Sequence, residues 1–131
     1  MQRDSATPGS PADWMRHARS DLALCASSPQ AGVLREALCF HAQQAAEKAL
    51  KAVLVAHGVS TPHTHNIAVL LDLVEDVETI PEAVQEADSL TDYAVLARYP
   101  GRTEPVGAAD LRRARTLARR TVKWATRVIG A

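Results

Sequence analysis

The chain has 131 residues, of which 47% are hydrophobic and only 4% aromatic, and its 15 basic side chains balance 15 acidic ones. That length suits one domain around a single, mainly aliphatic core, and a net charge of zero argues against general electrostatic adhesion to nucleic acid or anionic membrane, which draws on a basic surplus. No window approaches the roughly 20 apolar residues of a membrane span, and the opening MQRDSATPGSP has no apolar signal region, so a cytoplasmic protein without membrane association is expected.

Residues 1–10 are rich in Ser, Thr, Pro and Gly and read as a flexible tail, leaving 11–131 as the domain. Ser10 followed by Pro11 is a helix start, and Trp14, Ala18, Leu22 and Cys25 recur at helical spacing up to about Ser28-Pro29. A longer helix is expected from about Ala31 to His57, rich in Ala and Leu, with Gly58 as its stop. After Thr61-Pro62, the neighbourhood of Asn66 opens a short helix through Leu70, Leu71 and Val74. Pro81 opens a fourth, expected to run to Tyr99-Pro100-Gly101, and a last helix starts between Gly107 and Asp110 and continues to about Ile129. No segment alternates like a half-buried strand. The expected fold is all-α, a single up-and-down bundle of about five helices.

Charge is segregated beneath the zero sum. Between Leu71 and Asp92 stand Asp72, Glu75, Asp76, Glu78, Glu82, Glu86, Asp88 and Asp92 without a Lys or Arg, whereas the last helix carries Arg112, Arg113, Arg115, Arg119, Arg120, Lys123 and Arg127. Two solvated faces that compensate each other account for this pattern; so does a basic face offered to phosphate or to an acidic partner. Cys25 and Cys39 lack CxxC spacing and read as reduced thiols used as small core residues.

The central helix is apolar around most of its girth, with Ala42, Ala45, Ala46, Ala49, Ala52 and Val53 on one broad side and Cys39, Leu50 and Leu54 extending it. Against this, His41, Gln44, Lys48 and Lys51 form one polar line, with Glu47 placed to pair with Lys51 at i+4. Burying such groups without partners costs several kcal/mol each, so the line must meet solvent, other polar side chains or a ligand. An internal network that fixes the packing register satisfies that requirement, and so does a ligand groove. Trp14 and Trp124 read as core or interface anchors. His63 and His65 resemble a metal pair but lack a third ligand at regular spacing, and no P-loop, GxGxxG, GxSxG or HExxH pattern occurs, so neither metal nor cofactor is expected. Arg98-Tyr99-Pro100 reads either as a helix terminus or as a phosphate-binding fork beside a stacking face.

The run from His41 through Ala52 (HAQQAAEKALKA), followed by Gly58, Pro62, Thr64-His65-Asn66, Leu70-Leu71 and Ala97-Arg98-Tyr99-Pro100, resembles the prokaryotic HEPN domain, named for higher eukaryotes and prokaryotes nucleotide-binding. Trp14, Ala18, Asp21 and Leu22 fit the same pattern, so the resemblance spans about residues 11–128. It implies a bundle of about five helices that binds nucleotide or RNA, acts with a minimal nucleotidyltransferase partner, belongs in some cases to a toxin–antitoxin pair, and forms a homodimer. In the simplest mechanism for nucleotide binding, the polar line Gln44, Glu47, Lys48 and Lys51 lines a groove that His65, Arg98 and Tyr99 complete. Ribonuclease members of the family place a His a few residues after an Arg. Here no His follows Arg98, and Arg35 and His41, which match the spacing, point about 120 degrees apart on a continuous helix. A metal-independent ribonuclease toxin would therefore have to draw on His41 or His65 with Arg98, and a non-catalytic helical dimerisation module is the third possibility.

Overall fold

The computed structural model describes residues 7–28, 30, 32–96 and 105–130. Among these the regular structure is helical throughout, and no helix is long and apolar enough to cross a membrane. Helix α1 spans Pro11–Ala26; the Ser10 side chain accepts from Asp13 N, and Pro11 fills the first position, where its missing N–H costs nothing. Helix α2 spans Arg35–Ala56, starting later than Ala31 because Gly32 lies at φ 85° and Leu34 is extended, so the chain turns before the helix can begin. It ends at His57, with Gly58 at φ 74° in the left-handed region that favours glycine.

Asn66 opens α3 (Ile67–Glu75) by accepting from Ala68 N, while Thr64 Oγ1 accepts from Asn66 N. The expected fourth helix is broken. It consists of one turn, α4 (Glu82–Gln85), a 3-10 segment (Glu86–Leu90), and a second turn, α5 (Tyr93–Leu96). Apolar residues there fall at Val84, Ala87 and Leu90, a spacing of three that matches the 3-10 period, and all three are buried. The expected end of this segment at Tyr99-Pro100-Gly101 lies outside the described residues. The last helix, α6 (Ala108–Ile129), begins where Gly107 N donates to Asp110 Oδ2 at 2.9 Å and ends on Gly130 at φ 82°.

Helix α2 is the centre of the bundle. Leu50, Val53, Leu54 and all of its alanines from Ala42 to Ala52 are fully buried, packed between α1, α6 and α3. Alanines at the crossing positions let neighbouring helices approach closely, so the low aromatic content is matched by a core of small and aliphatic side chains. Pairings between Asp21 and Lys48, and between Trp14 and Lys51, show α1 running antiparallel to α2; Arg19 beside Thr126, and Arg115 beside Cys25, show the same for α1 and α6. The connection 57–66 brings the chain back along α2, so that His65 lies next to Gln43.

Candidate functional site

The polar line on α2 faces α1 and the segment before α3, where it is met by two carboxylates. Asp21 comes from α1: its Oδ1 lies 2.9 Å from His41 Nδ1, and its Oδ2 accepts from Lys48 Nζ at 2.7 Å. Glu47 is the second. Its Oε2 accepts from Lys51 Nζ at 2.8 Å, and its Oε1 receives Gln43 Nε2 at 3.0 Å, Gln44 Nε2 at 3.3 Å and His65 Nδ1 at 2.9 Å. Gln43 also donates to the His65 carbonyl and accepts from Gln44, which pins the segment before α3 to the middle of α2. Each carboxylate thus holds one histidine and one lysine.

Burial grades this network from inside to outside. Gln43 is fully buried, Glu47 is 3% exposed, and Asp21 and Lys51 are 7% exposed. The side chains of Lys48, His41 and His65 reach the surface, at 24%, 33% and 52% exposure. Among the described residues no buried side-chain nitrogen or oxygen lacks a partner. Burial by itself raises the Glu47 pKa, but hydrogen bonds from Lys51, His65 and Gln43 outweigh it and hold the carboxyl below its ordinary value. The Lys51 ammonium also sits 5.5 Å from the centre of the Trp14 ring, a cation–π contact that helps offset its desolvation. Beside this inner pair, Lys48 lines a cavity of about 230 Å³ with Gly9, Asp13, Trp14 and His17. The Asp13 carboxylate there is already engaged by Gly9 N and by Arg16.

Of the residues singled out from the sequence, Gln44, Glu47, Lys48, Lys51 and His65 converge on this network, and His41 joins it through Asp21. Arg98 and Tyr99 lie outside the described residues. Arg35 donates to the Val106 carbonyl while His41 faces Asp21, so these two side chains act on different partners. Two members escaped functional assignment from the sequence, and both had a signal. Asp21 borders the α1 stripe formed by Trp14, Ala18 and Cys25, about 20 degrees beyond Trp14, and Gln43 falls between Leu50 and Leu54 when the helices are wound at about 100 degrees per residue. A carboxylate or amide in an apolar arc is the mark of a buried polar pairing. Among the described residues no group of three His, Cys, Asp or Glu side chains is arranged to hold a metal ion.

Comparison with known proteins agrees with this architecture. The HEPN domain model matches residues 11–131. The crystal structure of ST0689, an archaeal HEPN homologue, superposes with a TM-score of 0.70 at 26% identity, covering 92% of this chain and 98% of that one. The crystal structure of TT1696 from Thermus thermophilus superposes with a TM-score of 0.60 at 32% identity, covering 93% and 94%. No curated protein matches the chain. With the model covering nearly the whole sequence and the fold shared over more than nine-tenths of it, the chain belongs to the HEPN domain family, a membership that supports a nucleotide- or RNA-related role.

Proposed function

We propose that this protein binds a nucleotide or an RNA segment at the outer edge of the α1–α2 network and acts there with a nucleotidyltransferase partner, in the manner of a toxin–antitoxin-type pair. The observation that carries the binding reading is the juxtaposition of Lys48, Trp14 and His17 around one small cavity. The Trp14 ring offers a stacking face for one base, and the Lys48 ammonium and His17 imidazole offer donors to one phosphate. A cavity of about 230 Å³ holds a base or a phosphate with its nearest atoms rather than an extended strand. The buried pair Glu47–Lys51 then serves as the rigid support of the site, holding Trp14 from behind. The partner rests on family membership; the minimal transferase would supply the metal-dependent step, because this chain lacks the carboxylate pattern for it.

Binding is tested by titrating AMP and a short oligoribonucleotide into the protein carrying Trp124→Phe, so that Trp14 alone reports fluorescence. Saturable quenching is expected, weakened at least about tenfold by Lys48→Ala, as expected for loss of a charge-assisted hydrogen bond. No quenching at millimolar AMP would sink the binding reading. The partner is tested by copurification from the native cell, where recovery without any nucleotidyltransferase would remove that part.

A ribonuclease reading gains one specific support. His41 and His65 each turn Nδ1 to a carboxylate at 2.9 Å, the arrangement that fixes an imidazole for proton transfer through its other nitrogen. The binding reading expects RNA to survive incubation in EDTA. Cleavage that disappears in His41→Ala or His65→Ala would replace it with the ribonuclease.

A further inference from the structure

A second cavity, of about 460 Å³, lies between α1 and α6 and shares no lining residue with the α1–α2 network. Leu22, Ala23 and Ala26 supply its apolar wall, and three arginines, Arg19, Arg115 and Arg119, complete its lining. No carboxylate lines it. Two of the three cations are held in place: Arg115 donates from Nε to the Cys25 carbonyl at 2.5 Å and from Nη2 to the Ser27 carbonyl at 2.6 Å, and Arg19 donates to Thr126 Oγ1 at 3.2 Å. Arg119 is exposed and has no side-chain partner among the described residues. Like charges gathered on one cleft repel one another, and an anion relieves that repulsion.

We infer that this cavity binds a phosphate monoester carried on an apolar body. A dianionic phosphate carries two charges on three terminal oxygens, which suits a lining of three arginines better than the single charge of a carboxylate does. Apart from the guanidiniums, the lining offers hydrocarbon and the buried Cys25, whose thiol is kept neutral by a pKa pushed up to about 11. The ligand body is therefore recognised by burial and not by hydrogen bonds, which separates this site from the Lys48 cavity and its nucleotide.

The test is a titration of the full chain with phenyl phosphate, followed through backbone amide shifts by NMR. Saturable shifts are expected along 19–26 and 115–119, with inorganic phosphate and benzoate each binding at least about tenfold more weakly and benzyl alcohol producing none of them. The double variant Arg19→Gln/Arg119→Gln should weaken phenyl phosphate about tenfold or more while its melting temperature stays near that of the parent. Ala23→Glu, which places a carboxylate on an exposed position of the wall, should abolish binding without touching either arginine. Absence of saturable shifts, equal affinity for phenyl phosphate and benzoate, unchanged affinity in these variants, or shifts centred on Trp14 and Lys48 would each overturn the inference. AMP is expected to move Trp14 and Lys48 and leave 115–119 unmoved. AMP saturating the arginine cavity as strongly as phenyl phosphate would refute an apolar body, and loss of AMP binding at Lys48 would leave this site standing.

Discussion

Glu47 is the side chain on which the network turns. It is buried, it accepts four donors, and one of them is a lysine that is itself almost fully covered. Replacing Glu47 by Gln keeps the shape but strands the Lys51 charge, so Glu47→Gln should lower unfolding free energy by about 3 kcal/mol in urea titrations. Pairing it with Lys51→Met should restore much of the loss, because the double change removes both charges. The lowered Glu47 pKa fixes the sign of the pH dependence. A carboxyl whose folded pKa lies below its unfolded value, about 4.3, contributes stability that is fully present above that value and fades as pH falls through the folded one. The parent should thus lose stability in acid more steeply than Glu47→Gln, and parallel pH–stability curves below about pH 4.3 would contradict the assignment. The pairing of Glu47 with Lys51 was legible from i,i+4 spacing alone, whereas His65 reaches Glu47 across 18 residues and only the return of the chain along α2 brings it there.

At the scale of elements, α1 is finished by a residue from the opposite end of the sequence. Arg115 of α6 donates to the carbonyls of Cys25 and Ser27, groups that a helix C-terminus leaves without intrahelical partners, and places a cation at the negative end of the helix dipole. Arg115→Ala should cost about 1–3 kcal/mol, read as a lowered midpoint in urea with an unchanged slope. A loss no greater than that of Arg112→Ala, whose exposed side chain has no partner among the described residues, would show that the contact contributes nothing. Helix starts were readable because Ser10 before Pro11, Asn66, and Gly107 with Asp110 carry their own capping chemistry. The broken fourth helix was not. Its residues are compatible with a continuous α-helix, and the switch to a 3-10 segment is made by packing Val84, Ala87 and Leu90 against the rest of the bundle.

For the whole molecule, the opposed charge blocks turn out to be neighbours that hardly pair. α4 and the 3-10 segment pack on α6, yet among the described residues the ion pair seen between the acidic and basic runs is Glu86–Arg113, at 3.4 Å between exposed side chains, a contact worth little in water. The surface therefore keeps an acidic and a basic region side by side. A different face carries most of the exposed large apolar side chains: Leu24, Val33 and Leu34 are 46%, 42% and 65% exposed, with Val69 apart on α3, and Leu24 and Val33 line one depression with His41. We propose this face as the contact of the homodimer that the HEPN resemblance implies. Sedimentation should show dimers for the parent and a dissociation constant raised more than about tenfold for Leu34→Glu, with helical content unchanged. A parent that sediments as a monomer at micromolar concentration would remove the homodimer.

The sequence by itself determined the helical class, the central place of α2, the caps of α1, α3 and α6, and the single polar line on α2, because periodicity and capping act within a few residues along one chain segment. It also carried the ordered motifs of the HEPN resemblance. Tertiary structure alone decided that Asp21 closes the line with His41 and Lys48 across 20 and 27 residues, that Trp14 stands over Lys51, and that Arg19, Arg115 and Arg119 gather around one cleft. Those contacts depend on the register and crossing of helices far apart in sequence, which the burial of the whole core sets and no local spacing encodes.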